Sequence, residues 1–93
     1  MCEIYKCETN IIQPDCGYKI QYFLTTEDDL NFGFKSILYK QQTLTSTDVI
    51  DLMMSQDEAE RVINTLCENH VFPQTYLDVL ADMDIYLPAC EVQ

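Results

Sequence analysis

The stretch Tyr18-Lys19-Ile20-Gln21-Tyr22-Phe23-Leu24-Thr25 decides how the chain is read. Tyr18, Ile20, Tyr22 and Leu24 alternate with their neighbours at period two. The residues are rich in β-formers, the pattern of a strand with one face on a core. Glu27-Asp28-Asp29 with Asn31 is a polar break, and Phe32 to Tyr39 is a second β-prone run. Together these predict a hairpin joined by a loop of several residues. Gly33, inside the returning strand, predicts a bulge or a close contact there.

Outward from the hairpin, an earlier strand over Glu3–Cys7 is expected to pair with it, with a turn at Pro14–Gly17. Thr45–Met54 supports two readings. Thr45-x-x-Asp48 has the spacing of a capping box, which favours a helix. Val49 to Met54 equally suits a short buried strand. The strand is preferred, because a better helix start follows at once.

That start is Ser55-Gln56-Asp57-Glu58. A serine there can accept from the third residue's N–H while the glutamate reaches back, and early acids suit the positive end of the helix dipole. Ala59, Val62, Ile63, Leu66 and Cys67 recur at helical spacing and make one apolar stripe. Asn69 is a reasonable stop. Pro73 opens a second helix at its first position, with Tyr76, Leu77, Leu80 and Met83 expected on one face. Pro88 bars any extension. The architecture predicted is α+β: a small antiparallel sheet of three to four strands, then two short helices packed on one face. With 93 residues, one domain over 1–88 and a loose tail over 89–93 are expected.

The Ser55-Gln56-Asp57 cap, Val62, Leu66, Asn69, Pro73 and the run Tyr76-Leu77-Asp78-Val79-Leu80-Ala81-Asp82 resemble a group of small proteins from clostridial and related firmicute genomes. The resemblance covers about residues 48–84. It implies the same β-rich start leading to a capped helix, a proline and a closing acidic helix. That group has no established activity, so no functional residue is carried across.

No stretch approaches the roughly 20 apolar residues a membrane helix needs. The charged, alternating N-terminus is unlike a secretory leader. A cytoplasmic location is the expectation. Five cysteines, Cys2, Cys7, Cys16, Cys67 and Cys90, form no regular framework, and reduced thiols fit that location. The single histidine, His70, stands three residues from Cys67. The pair reads either as half a metal site or as a buried thiol beside a helix-end histidine. No metal site or cofactor is expected.

Catalysis through a nucleophile needs a base in reach and a group to orient it. With one histidine, the candidates reduce to Cys67 with His70. No Gly-x-Ser-x-Gly elbow occurs, and two isolated glycines, Gly17 and Gly33, build no phosphate loop. Asp78, Asp82 and Asp84 read as a divalent-cation cluster or as a solvated acidic face. An enzyme is not expected.

Charge is the informative feature. Sixteen acids against five bases leave −11, of which residues 1–47 hold −2 and residues 48–93 hold −9. Such a field either steers the protein onto a basic partner or only keeps it soluble. The acids expected to form a partner-binding face are Asp57, Glu58, Glu60, Asp78 and Asp82. Rows of carboxylates can stand in for phosphates in an Arg/Lys-rich groove. Small acidic inhibitors from phages and mobile elements, anti-CRISPR proteins among them, are similar in size and charge. That similarity implies a nucleic-acid-binding protein as partner. Direct binding of DNA or RNA is not expected, since the lysines are scattered.

A second reading rests on the aromatics of the hairpin. Those left exposed beside the 27–29 loop would make an interface with an acidic rim, the candidates being Glu27, Asp28, Asp29, Phe32 and Phe34. It suits an adaptor or an oligomerising module, a homodimer included.

Overall fold

The computed structural model describes residues 2–83 and 85. Four strands, β1 (Cys2–Gln13), β2 (Cys16–Thr26), β3 (Phe32–Lys40) and β4 (Thr43–Met54), form one antiparallel sheet in chain order. Then come α1 (Gln56–Glu68), a 3-10 turn over Pro73–Thr75, and α2 (Tyr76–Asp82). The α+β architecture is as the sequence predicts. The expected tail over 89–93 and the carboxylate of Asp84 lie outside the described residues.

The alternation in β2 carries the core. Ile20, Tyr22 and Leu24 point under the helices together with Phe32, Phe34 and Leu38 of β3. Ala59, Val62, Ile63 and Leu66 of α1 and Tyr76 and Leu80 of α2 close over them. Burial of these side chains, each worth about 1.5–3 kcal/mol, holds the two layers together.

Strand β1 is longer than the expected Glu3–Cys7. It pairs with β2 from Cys2↔Thr26 to Gln13↔Cys16, with a bulge between Tyr5 and Cys7. The extra residue resets the alternation, so that Cys7, Thr9 and Ile11 face the core side although Tyr5 faces away. The first turn narrows to Pro14 and Asp15, because Cys16 and Gly17 already belong to β2.

Thr45–Met54 is strand, within β4. The turn before it uses Gln41 and Gln42, both left-handed at φ 52° and 70°. That pair gives the mirror-image turn whose twist matches antiparallel strands. The expected irregularity at Gly33 is present. The ladder slips between Phe32↔Met54 and Phe34↔Ile50, and β4 arches over Gly33 in the gap. A side-chain carbon on Gly33 would overlap the Ile50 carbonyl oxygen and stand 2.9 Å from Asp51 Cα.

Ser55 caps α1 as predicted. Its Oγ accepts from the Glu58 N–H at 3.4 Å and donates to Glu58 Oε1 at 3.2 Å. Asn69 ends the helix, and His70 follows in left-handed conformation at φ 52°. His70 N–H donates to the Cys67 carbonyl and Val71 N–H to that of Leu66. This is a Schellman closure with histidine where glycine is usual, and Leu66 and Val71 supply its apolar contact. Pro73 opens the 3-10 turn that runs into α2. On α2 the inward residues are Tyr76, Val79, Leu80 and Met83, whereas Leu77, expected among them, is 53% exposed. With a period of 3.6, Leu77 falls a full 100° from Tyr76 and off the covered arc.

Candidate functional site

The five acids assigned to a partner-binding face lie on α1 and α2, and their surroundings divide them. Asp57, Asp78 and Asp82 are exposed and make no hydrogen bond among the described residues. Glu58 is held by the Ser55 cap. Glu60 accepts from Gln56 Nε2 at 3.1 Å and pairs with Lys6 Nζ of β1 at 3.1 Å. Its carboxyl is held below the usual range by the Gln56 hydrogen bond and then by Lys6. Glu60 therefore fastens α1 to the edge strand, while Asp57, Asp78 and Asp82 have no such contact among the described residues.

The 27–31 loop is ordered by its own side chains. Asp28 Oδ1 accepts from the N–H groups of Leu30 and Asn31, both at 2.9 Å. Backbone donation by Asn31 and Leu30 holds the Asp28 carboxyl below its ordinary value. Thr26 Oγ1 donates to the Asn31 carbonyl and accepts from Asp29 N–H, each at 2.9 Å. A cavity of about 300 Å³ opens beside this loop, lined in part by Thr25, Glu27, Asp28, Val49, Asp51 and Met53. Its lining offers carboxylates and hydroxyls, with Asp51 Oδ1 already accepting from Met53 N–H at 3.1 Å.

Phe32 and Phe34, named as interface anchors beside this loop, are buried in the core and cannot serve as such. Both lie in the phase of β3 that faces the helices. Glu27, Asp28 and Asp29 are exposed.

The side chains of Cys67 and His70 have different partners. The His70 ring Nδ1 is engaged with the Thr9 hydroxyl across to β1. Cys67 neighbours Cys7, whose thiol pKa is pushed up to about 12 by burial and then by its hydrogen bond with Cys67. A thiol held protonated, as that of Cys7 is, is a weak nucleophile. No group of three or more metal-ligating side chains occurs among the described residues.

One surface was not anticipated. Helices cover a single face of the sheet, and across the other run the rows Tyr5-Phe23-Lys35-Val49, Glu8-Gln21-Ile37-Thr47 and Asn10-Lys19-Tyr39-Leu44. Tyr5, Val49 and Leu44 are each more than half exposed, and Ile12 at the end of β1 is 88% exposed. Tyr5 meets Phe23 edge to face at 5.6 Å between ring centres. Lys35 pairs with Glu3 at 3.1 Å and lies over Phe23, while Lys19 lies 4.9 Å above the Tyr39 ring. A signal for this face was present in the sequence. Each strand carries an apolar doublet, Ile11-Ile12, Tyr22-Phe23, Ile37-Leu38 and Val49-Ile50, and a doublet in a strand places one residue on either side.

No helix among the described residues is long and apolar enough to cross a membrane. Comparison of the chain with protein-family models, with curated proteins and with solved structures finds no match.

Proposed function

We propose that this is a non-catalytic binding module that docks its acidic helix layer onto the basic surface of a protein partner, one that otherwise holds a nucleic-acid backbone. The observation that carries the reading is the segregation of charge. From Ser55 to Met83 six acids face one cation, Arg61, while all four lysines sit on the strands. Asp57, Asp78 and Asp82 project this field without internal partners. A field of one sign steers encounter and orients the docked complex. The engagement of His70 with Thr9 and the raised pKa of Cys7 support a binding role over thiol or acid–base chemistry.

The test is affinity capture of tagged protein from lysate at low and high salt, beside the variant Asp57→Lys/Asp78→Lys/Asp82→Lys. A nucleic-acid-binding partner is expected at low salt, released by high salt or by added DNA or RNA. The triple variant should lose it while unfolding at an unchanged temperature. A salt-resistant partner held equally by the triple variant overturns the proposal.

A further inference from the structure

The uncovered face of the sheet differs electrically from the rest of the chain. Its charged residues are Glu3, Glu8, Asp51, Lys19 and Lys35, which sum to −1, with Glu27 and Asp28 at its margin. Most of the net −11 of the protein therefore resides elsewhere. Both of these lysines are also laid over aromatic rings, which lets their aliphatic stems cover apolar surface. The face is thus weakly charged and aromatic on a molecule that otherwise repels its own kind.

From this we infer that the face is a homodimer interface, in which two copies pack sheet against sheet with their helix layers outward. Charge selects the occupant. A polyanion is repelled by the chain as a whole, and a strongly basic protein is drawn to the helix layer. A second copy meets there a surface that carries −1 of the chain's −11, where Glu3, Glu8 and Asp51 of one protomer can face Lys19 and Lys35 of the other. In such a pair the sheets stand about 10 Å apart. Adding a helix diameter of about 10 Å on each side puts the acidic layers roughly 30 Å from one another. That is several times the screening length of about 8 Å at physiological salt.

The size is sufficient. Nine paired residues at about 3.3 Å span roughly 30 Å, and four strands at about 4.8 Å spacing make the patch close to 20 Å wide. Two such faces hide on the order of 1,200 Å², the lower limit for a specific stable interface. A two-fold axis through the face makes the contact isologous and closed, so assembly stops at the dimer.

Sedimentation from micromolar to near-millimolar concentration, at low and high salt, tests this. The expected result is a dimer that high salt leaves intact. Tyr5→Lys/Val49→Lys should shift the dissociation constant upward at least tenfold with an unchanged unfolding midpoint. Isotope-filtered NOE spectra of mixed labelled and unlabelled protein should connect Tyr39, Leu44 and Val49 between protomers, a readout that needs no variant. A monomer at near-millimolar concentration overturns the inference. So does a dimer that survives the double variant, one that dissolves in high salt, or intermolecular NOEs arising from α1 and α2. The helix variant Asp57→Lys/Asp78→Lys/Asp82→Lys should remain dimeric, so failure here leaves the acidic docking surface standing, and the reverse.

Discussion

The hydroxyl of Tyr22 on β2 donates to the Val71 carbonyl at 3.2 Å and receives the hydroxyl of Tyr76 on α2 at 3.4 Å. Residues 54 apart in sequence thus share one polar contact among the buried side chains of the core. It sets where α2 sits on the sheet, because a buried hydroxyl left without a partner costs about 1–3 kcal/mol. Tyr22→Phe should destabilise the fold by about 1–2 kcal/mol in denaturant unfolding. Tyr76→Phe should cost less, since it leaves the Tyr22–Val71 bond intact.

The same pair predicts the alkaline limit of stability. Burial, and then the Tyr76 hydrogen bond, raise the Tyr22 phenol well above its ordinary value of 10.0. Tyr76 is raised as well, chiefly by burial. A raised folded-state pKa means that the stabilisation is complete below pH 10 and falls as pH rises beyond the unfolded value. Alkaline unfolding followed by circular dichroism should begin near pH 10. Relative to its own neutral-pH stability, Tyr22→Phe should lose less there.

Gly33 is required by the arch of β4. A methyl group would overlap the Ile50 carbonyl and crowd Leu52 N at 3.0 Å. Backbone cannot swing aside as a side-chain tip does, so Gly33→Ala should cost about 3 kcal/mol or prevent folding. A variant with wild-type stability would show that the arch is not part of the native state.

The β3–β4 turn is an opportunity for stabilisation. Gln42 is exposed and left-handed at φ 70°, a region that costs a non-glycine residue about 1–2 kcal/mol. Gln42→Gly should raise the stability by about 0.5–1 kcal/mol once the greater freedom of the unfolded chain is offset. Gln41 is the poorer target, because its side chain also donates to the Asp15 carbonyl at 3.2 Å. Thermal unfolding of the two variants checks the ranking.

The 27–31 loop should loosen in acid. Asp28 is held below its ordinary value of 3.8 by N–H donors, so its contribution is complete above that value and falls as pH drops through the lower folded-state one. Protection of the Leu30 and Asn31 amides against exchange, relative to the intrinsic rate at each pH, should fall below about pH 4, and Asp28→Ala should lower it at neutral pH. Equal exchange in variant and wild type would mean that Thr26 alone orders the loop.

What the sequence determined by itself was local. The alternation of Tyr18, Ile20, Tyr22 and Leu24, the Ser55–Glu58 cap, the α1 stripe and the punctuation at Asn31, Asn69 and Pro73 are each encoded within one turn or one strand. Propensity and periodicity act over that range. The tertiary structure decided what required distant partners. The length of β1 follows from its ladder with β2, and the exposure of Leu77 from the arc that the sheet covers. The engagement of Glu58 in a cap and of Glu60 in an ion pair comes from Ser55 and from Lys6, the latter 54 residues away. Phe32 and Phe34 could not be placed inside, nor Tyr5 and Val49 outside, until helices were known to cover one face alone. Period two states that a strand has two faces; only the packing of a second layer says which of them meets water.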